Sequence, residues 1–240
     1  MTTLYAKELD HRALNEAIRQ AGDSVQITGC AGQRFIGAGM SGGSIEIVGI
    51  PGNALGAYLN GAQITVNGNA QDAVGDTMNG GRIVVRGSIG DAAGYAMRGG
   101  EIYVRDNAGY RAGIHMKEDR DKVPVIVIGG CAGSFLGEYQ AGGMIIVLGL
   151  GRDGRGIVGD FPCTGMHGGR MFLRGDCRGI VFPPQVTARE ASEQDLEAIR
   201  GPVGEFAALF GLDTAGLLAS PYTVVTPDSA NPYRRMYVEN

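Results

Sequence analysis

Three consecutive stretches, 42–60 GGSIEIVGIPGNALGAYLN, 61–79 GAQITVNGNAQDAVGDTMN and 80–98 GGRIVVRGSIGDAAGYAMR, align as lines of nineteen residues. The third and fifth residues after each opening glycine are large and aliphatic: Ile45 and Ile47, Ile64 and Val66, Ile83 and Val85. Alternation of that kind is the pattern of a strand with one buried face. Glycines recur at fixed phase (Gly49, Gly68, Gly87, then Gly56, Gly75, Gly94), and Leu59, Met78 and Met97 follow three residues after the second set. A period near twenty with one short strand per unit describes a solenoid, in which each unit buries its apolar face only by stacking on the next. Fixed glycines mark the corners, because glycine takes φ > 0 without steric cost and lets backbones approach closely.

The register extends in both directions. Upstream, Val25 and Ile27 make a strand, with Gly37 and Met40 near the corner phase. Downstream, 99–116 keeps every landmark, including Gly113, before the insertion Lys117–Lys122 (KEDRDK). The next unit carries Ile126, Ile128, Gly137 and, where Leu or Met usually stands, Gln140. The unit from Gly142 is several residues too long, with the excess between Leu150 and His167, and Met171 and Leu173 close the series. The expected fold is therefore all-β: a single-stranded β-helix of about seven coils, with Gly37, Gly56, Gly75, Gly94, Gly113 and Gly137 as structural corners.

Residues 1–21 read as an N-terminal cap, a helix over 7–20 with Leu9, Leu14 and Ile18 on one side. Residues 22–182 form the β-helix, which ends at Phe182-Pro183-Pro184, since proline stops strand pairing. Residues 183–240 read as two short helices broken near Gly201-Pro202, then an extended tail from Ser220 docked on its own body or a partner. Thr187 with Glu190 has capping-box spacing, and Ser192 with Asp195 is the second candidate.

Composition narrows the function. The 240 residues include 42 glycines and carry a net charge of −4 with no basic block, which argues against a nucleic-acid surface. The sequence has no apolar run of membrane-spanning length and no signal-peptide pattern at its N-terminus, so a cytoplasmic protein without a membrane partner is expected. Cys30, Cys131, Cys163 and Cys177 lack CxxC spacing and read as buried thiols rather than ligands of zinc or iron–sulfur. Two stretches fit GxGxxG, at Gly37–Gly42 and Gly149–Gly154. Neither is followed by the helical periodicity that a dinucleotide site needs to receive the pyrophosphate. His11, His115 and His167 have no partner at metal or triad spacing; His115 and His167 sit at coil edges and read as hydrogen-bonding groups. A hexapeptide β-helix acyltransferase is excluded, because aliphatics do not recur at six.

The repeat GG-x-I-x-V-x-G-x-x-G-x-x-x-G, running from about Val25 to Arg174, resembles the GXGXG family. That family's right-handed β-helix is the C-terminal domain of the glutamate synthase large subunit and also forms one of the subunits of formylmethanofuran dehydrogenase. The segment Gly109–Leu150, with FPCTGMHGGRMFLRG after it, is similar to the stand-alone version. The resemblance implies a non-catalytic scaffold in a hetero-oligomer of the glutamate synthase or N-methylglutamate synthase type. Its expected partners are a glutamine amidotransferase-like subunit and an FMN-binding glutamate synthase-like subunit, with FMN and iron–sulfur clusters in the partner and no cofactor in this chain. The alternative is a scaffold of the formylmethanofuran dehydrogenase or formyltransferase/hydrolase type, and the third reading is an enzyme acting alone. No catalytic or metal residue is carried over. The two insertions are the expected contact points, because a repetitive surface needs something unique for specific docking. The residues are Lys117, Glu118, Asp119 and Arg120 in the first, and Arg152, Asp153, Arg155, Phe161 and Pro162 in the second, the last two as an apolar anchor.

Overall fold

A computed structural model describes residues 1–230. The aliphatic pairs build its core. Strands β2 (Ser24–Ala31), β3 (Ser44–Ile50), β4 (Asn60–Asn67), β5 (Asn79–Val85), β6 (Gly99–Val104), β7 (Val125–Ile128), β8 (Ala141–Val147) and β9 (Gly168–Arg174) each pair in parallel with the next. Ile27, Ile47, Val66, Val85, Val104, Ile128, Val147 and Leu173 stand in register and are fully buried. A second ladder runs beside it from Val25 and Ile45 through Ile64, Ile83, Ile102, Ile126 and Ile145 to Met171. Eight strands bound seven turns, so the chain is a β-solenoid as the repeat predicts.

Both ends differ from the sequence reading. Strand β1 (Thr2–Tyr5), which was not expected, extends the sheet by pairing in parallel with β2. A 3-10 turn at Ala6–Glu8 follows, and the helix α1 is only His11–Gln20. It starts there because the Asp10 carboxylate caps the N–H groups of Arg12 and Ala13 at 2.9 and 2.8 Å. Leu14 and Ile18 close the core while Leu9, outside the helix, is half-buried.

At the far end, β10 (Val186–Glu190) and β11 (Tyr222–Pro227) continue the sheet with reversed direction, β11 pairing with β9 and β10 with β11. The tail from Ser220 is thus docked on its own body as far as the described residues go; its last ten residues, 231–240, lie outside them. Thr187 and Glu190 are in a strand, and the capping box that forms is Ser192 with Asp195.

That box opens one continuous helix, α2 (Glu193–Phe210), in place of the two short ones expected. Pro202 removes one helical N–H, yet the helix runs through because Ile199, Val203, Phe206 and Ala207 bury one stripe on the outer face of the sheet. There Val84, Tyr103, Val127, Ile146 and Phe172 present an apolar surface, whereas Gln26, Glu46 and Thr65 on β2–β4 do not. The helix therefore covers a flank and not an end. A short helix, α3 (Thr214–Leu218), follows. No helix among the described residues is long and apolar enough to cross a membrane.

Candidate partner-docking surfaces

Between strands, each turn crosses one side of the solenoid in a backbone pattern where every second residue is left-handed. The triplets are Ala54/Gly56/Tyr58, Ala73/Gly75/Thr77, Ala92/Gly94/Ala96, Arg111/Gly113/His115 and Phe135/Gly137/Tyr139, with Phe35/Gly37/Gly39 before them and Phe161/Cys163/Gly165 after. The middle position demands glycine for two reasons. Its φ is near +65°, as at Gly56 (+64°), and a Cβ there would lie 2.6 Å from Ile83 Cδ1, a ladder residue two strands further on. At Gly113 the same atom would meet Ile145 Cδ1 at 2.4 Å. Cys163 takes this place in the last turn, at φ +61°, because β9 is the last parallel strand and no further ladder isoleucine stands above it.

The GXGXG motif family matches residues 11–228, a span that contains every one of these turns. The chain belongs to the GXGXG family. Over 97% of its length it is 43% identical to the uncharacterized protein MJ1350 of Methanocaldococcus jannaschii, covering 94% of that protein. It also superimposes on a chain of the formyltransferase/hydrolase complex (FhcABCD) of Methylorubrum extorquens, solved with methylofuran, at a TM-score of 0.62. That match covers 92% of this chain and 89% of the other at 20% identity, a likeness of fold.

The GXGXG protein does not bring its two insertions together. Lys117–Lys122 precedes β7 and folds into a tight hairpin, Asp119 bridging Lys122, with Arg120 left-handed at its tip. Glu118 Oε1 accepts the Gly143 N–H at 2.9 Å and Lys122 Nζ donates to the Asn79 carbonyl at 3.1 Å, so the hairpin lies over the starts of β5 and β8. Arg152, Asp153 and Arg155 follow β8, exposed, in a loop anchored where Leu150 N–H meets the Gly129 carbonyl at 2.8 Å. The two lie at opposite ends of the same strands.

Phe161 and Pro162 belong to neither. The surplus residues end by Gly156, and register resumes where Val158 bridges Ala132. Phe161 is then the left-handed residue of an ordinary turn and is 61% exposed. Pro162 corrects the expectation of a surface anchor: it fills the inward column of Leu55, Val74, Ala93, Ala112 and Leu136, and is buried.

What the sequence reading missed lies around Phe161. Two rows of rings run along the axis on the left-handed side. In one, Tyr110, Phe135 and Phe161 are 5.2 and 5.1 Å apart; in the other, Tyr95, His115 and Tyr139 are 5.9 and 5.2 Å apart, the last pair stacked at 8°. The Arg111 guanidinium lies 4.7 Å from the Tyr110 ring centre and 5.1 Å from that of Phe135, and pairs with Glu138 at 2.6 Å. The signal was present as a run of large residues in consecutive turns at two fixed phases, Arg111, Phe135 and Phe161 after Ala54, Ala73 and Ala92, and His115 and Tyr139 after Thr77 and Ala96, with Phe35 and Tyr58 as single rings earlier in the same phases.

Other candidate chemistry resolves into structure. His167 Nδ1 is 3.0 Å from the Gly165 carbonyl, the coil-edge hydrogen bond expected of it, whereas His115 makes ring contacts. All four cysteines are unpaired, and three are buried as expected while Cys131 is only half-buried; burial pushes the Cys163 thiol up to about 12, and Cys30 and Cys177 up by the same cause. Neither GxGxxG stretch leads into a helix. Among the described residues no three His, Cys, Asp or Glu side chains are placed to hold a metal. A recess of about 670 Å³ behind the last turn is lined by Cys177, Arg178, Phe182, Arg189 and Tyr222. Its arginines pair with Asp176 and Asp195.

Proposed function

We propose that this GXGXG protein is a non-catalytic scaffold subunit of a hetero-oligomeric enzyme complex, acting in the cytoplasm, with the chemistry on its partners. The observation that carries the reading is its end-to-end likeness to a chain that occurs within a multi-subunit complex, 92% of one covering 89% of the other. That likeness favours partners of the formyltransferase/hydrolase type. A stack of in-register strands suits such a role: 41 buried residues form one continuous core along its length, from Ala6 to Val225, holding surfaces at fixed separations. The exposed insertions, Lys117–Arg120 and Arg152–Arg155, supply the irregular features that distinguish one partner from another.

The second reading is a glutamate-synthase-type complex with amidotransferase and FMN/iron–sulfur partners. It rests on the stand-alone type of segment Gly109–Leu150, whose hairpin Lys117–Lys122 is a built feature tied to Asn79 and Gly143. Purifying the tagged chain from its own host and identifying its companions by mass spectrometry tests both. Formyltransferase and amidohydrolase-like chains support the first, and an amidotransferase with a yellow flavoprotein supports the second. A chain recovered alone, at 25.0 kDa, refutes the scaffold role.

A further inference from the structure

The repeats of this solenoid are controls for one another. Ala54, Ala73, Thr77, Ala92 and Ala96 fill the left-handed positions flanking the central glycines in the early turns, beside the single rings of Phe35 and Tyr58, so the corner itself needs no large side chain. In the later turns the same positions hold Arg111, His115, Phe135, Tyr139 and Phe161, all with φ between +52° and +59°. A bulky residue in that region is a steric outlier that persists only where something else requires it. Burial in the core is not that requirement: Phe161 is 61% and Tyr139 37% exposed. The rings form a strip three turns long, about 14 Å at the usual ~4.8 Å strand spacing.

The charge on this side is one-sided. From Asn53 onward its turns carry four carboxylates that reach solvent, Asp72, Asp76, Asp91 and Asp160, and the buried Glu138, against one guanidinium, Arg111. Asp72 and Asp91 accept backbone N–H groups of the next turn, those of Asp91 and Tyr110 at 2.9 and 2.7 Å, and Glu138 holds Arg111. Asp160, exposed beside Phe161, has no partner for its carboxylate among the described residues. One turn earlier the strip already displays what it binds: a guanidinium against two rings, paired to a carboxylate.

We infer that the strip Tyr95–Phe161 is a docking surface for an arginine-bearing segment of a partner subunit, the arginine lying on Phe161 and Tyr139 and pairing with Asp160. This rests on the scaffold reading and deepens it. Arginine suits such a place because its planar cation stacks on rings while its fork meets a carboxylate.

The test uses the complex purified through this chain, with p-benzoylphenylalanine in place of Phe161 as photo-crosslinker. The expected product joins position 161 to another subunit within a peptide containing arginine. Phe161→Ser and Asp160→Arg each weaken that subunit's binding ~10-fold or more, equivalent to about 1.4 kcal/mol, since one removes a stacking ring and the other the paired carboxylate. Asp160→Arg is then restored by changing the cross-linked arginine to Asp, while Tyr58→Ser, at an isolated exposed ring in the phase of Tyr139 but outside the strip, changes nothing. Melting temperatures of the isolated variants stay at the wild-type value, which separates docking from folding. Cross-linking to a second copy or to residues 231–240 of the same chain overturns the inference, as does a complex indifferent to both substitutions. A chain that purifies without companions fails the scaffold reading and this inference with it, whereas an intact complex cross-linked elsewhere fails this inference alone.

Discussion

The side-chain oxygen of Asn15 accepts the Gly37 N–H at 3.1 Å, the bond that in every later turn comes from backbone. Gly56 donates to the Ile36 carbonyl, Gly75 to Leu55, Gly94 to Val74 and Gly113 to Ala93, at 2.7 to 2.8 Å. The first turn has no turn before it, so its N–H would be orphaned. Helix α1 supplies a substitute carbonyl from a side chain. The cap is thus a hydrogen-bond mimic of one more coil, as well as a cover for the apolar end.

Asn15→Ala is expected to destabilise the chain by about 1–3 kcal/mol, the cost of leaving a buried donor unsatisfied, despite alanine's better helix propensity. Asn15→Asp, which keeps the acceptor, should recover part of the loss. Urea midpoints compare the three, and hydrogen exchange at Gly37 should accelerate in the alanine variant while Gly75 is unmoved. Equal midpoints would show that water satisfies the Gly37 donor.

The same chemical change should have opposite signs at two glycines. Gly113→Ala forces a left-handed alanine at φ +70° with its Cβ 2.4 Å from Ile145 Cδ1. Backbone strain of roughly 1–2 kcal/mol adds to overpacking of a similar size. Gly201→Ala, inside α2 with nothing within 4 Å of the new atom, should stabilise by about 0.5–1 kcal/mol. Thermal melts of both variants suffice, and a gain at Gly113 would contradict the corner geometry.

These glycines were readable because a solenoid writes its structure directly into sequence. A side chain that stacks on its own kind one turn later leaves a residue type at fixed phase, and Ile45, Ile64, Ile83 and Gly56, Gly75, Gly94 did so. The ends follow no repeat. Strand β1 is four residues long, β10 and β11 pair only because β9 offers an edge, and α2 crosses Gly201-Pro202 because its apolar stripe packs on Phe172 and Tyr103. Pro162 was misplaced for a related reason: with the loop's end unknown the phase was lost, and a residue two positions from an inward corner reads as part of the loop. The aromatic strip is not legible from periodicity, because Arg111, Phe135, Phe161, His115 and Tyr139 change residue type while leaving the corner glycines in phase.

Gln140 interrupts a column of Leu59, Met78, Met97, Met116 and Met166, all fully buried, and is itself 0% exposed. Its Nε2 donates to the Gly142 and Gly143 carbonyls at 3.1 and 3.2 Å, while Oε1 has no partner. An unsatisfied buried acceptor costs about 1–3 kcal/mol, and the neighbouring turns show that methionine fits the same place. Gln140→Met should therefore raise the unfolding midpoint, by about 1 kcal/mol once the two lost bonds are set against it. A drop would mean that the amide anchors the turn before β8 more strongly than its orphaned oxygen weakens it.

Asp195 makes the far end of the molecule sensitive to acid. Its carboxylate accepts Arg189 Nη1 at 2.6 Å, the Ser192 N–H at 2.9 Å and the Ser192 hydroxyl at 2.7 Å, joining strand β10 to the start of α2. The Arg189 hydrogen bond above all, with Ser192 adding to it against the effect of burial, lowers its pKa from 3.8 to about 2. The folded state thus holds the ionised form more tightly than the unfolded chain does. The resulting stability is fully present above the unfolded value and disappears as pH falls from about 4 through about 2. Asp195→Asn should be less stable at pH 7 by roughly 1–3 kcal/mol, because it removes a charge-assisted pair whose carboxylate side is 9% exposed. The gap between the two proteins should then narrow across that acid window, since the wild type loses there what the variant never had. Other carboxylates with lowered values, such as Asp10 and Asp176, titrate in both proteins and cancel in the difference. Urea unfolding at pH 7, 4, 3 and 2.5 gives the comparison, and parallel curves would remove Asp195 as the source.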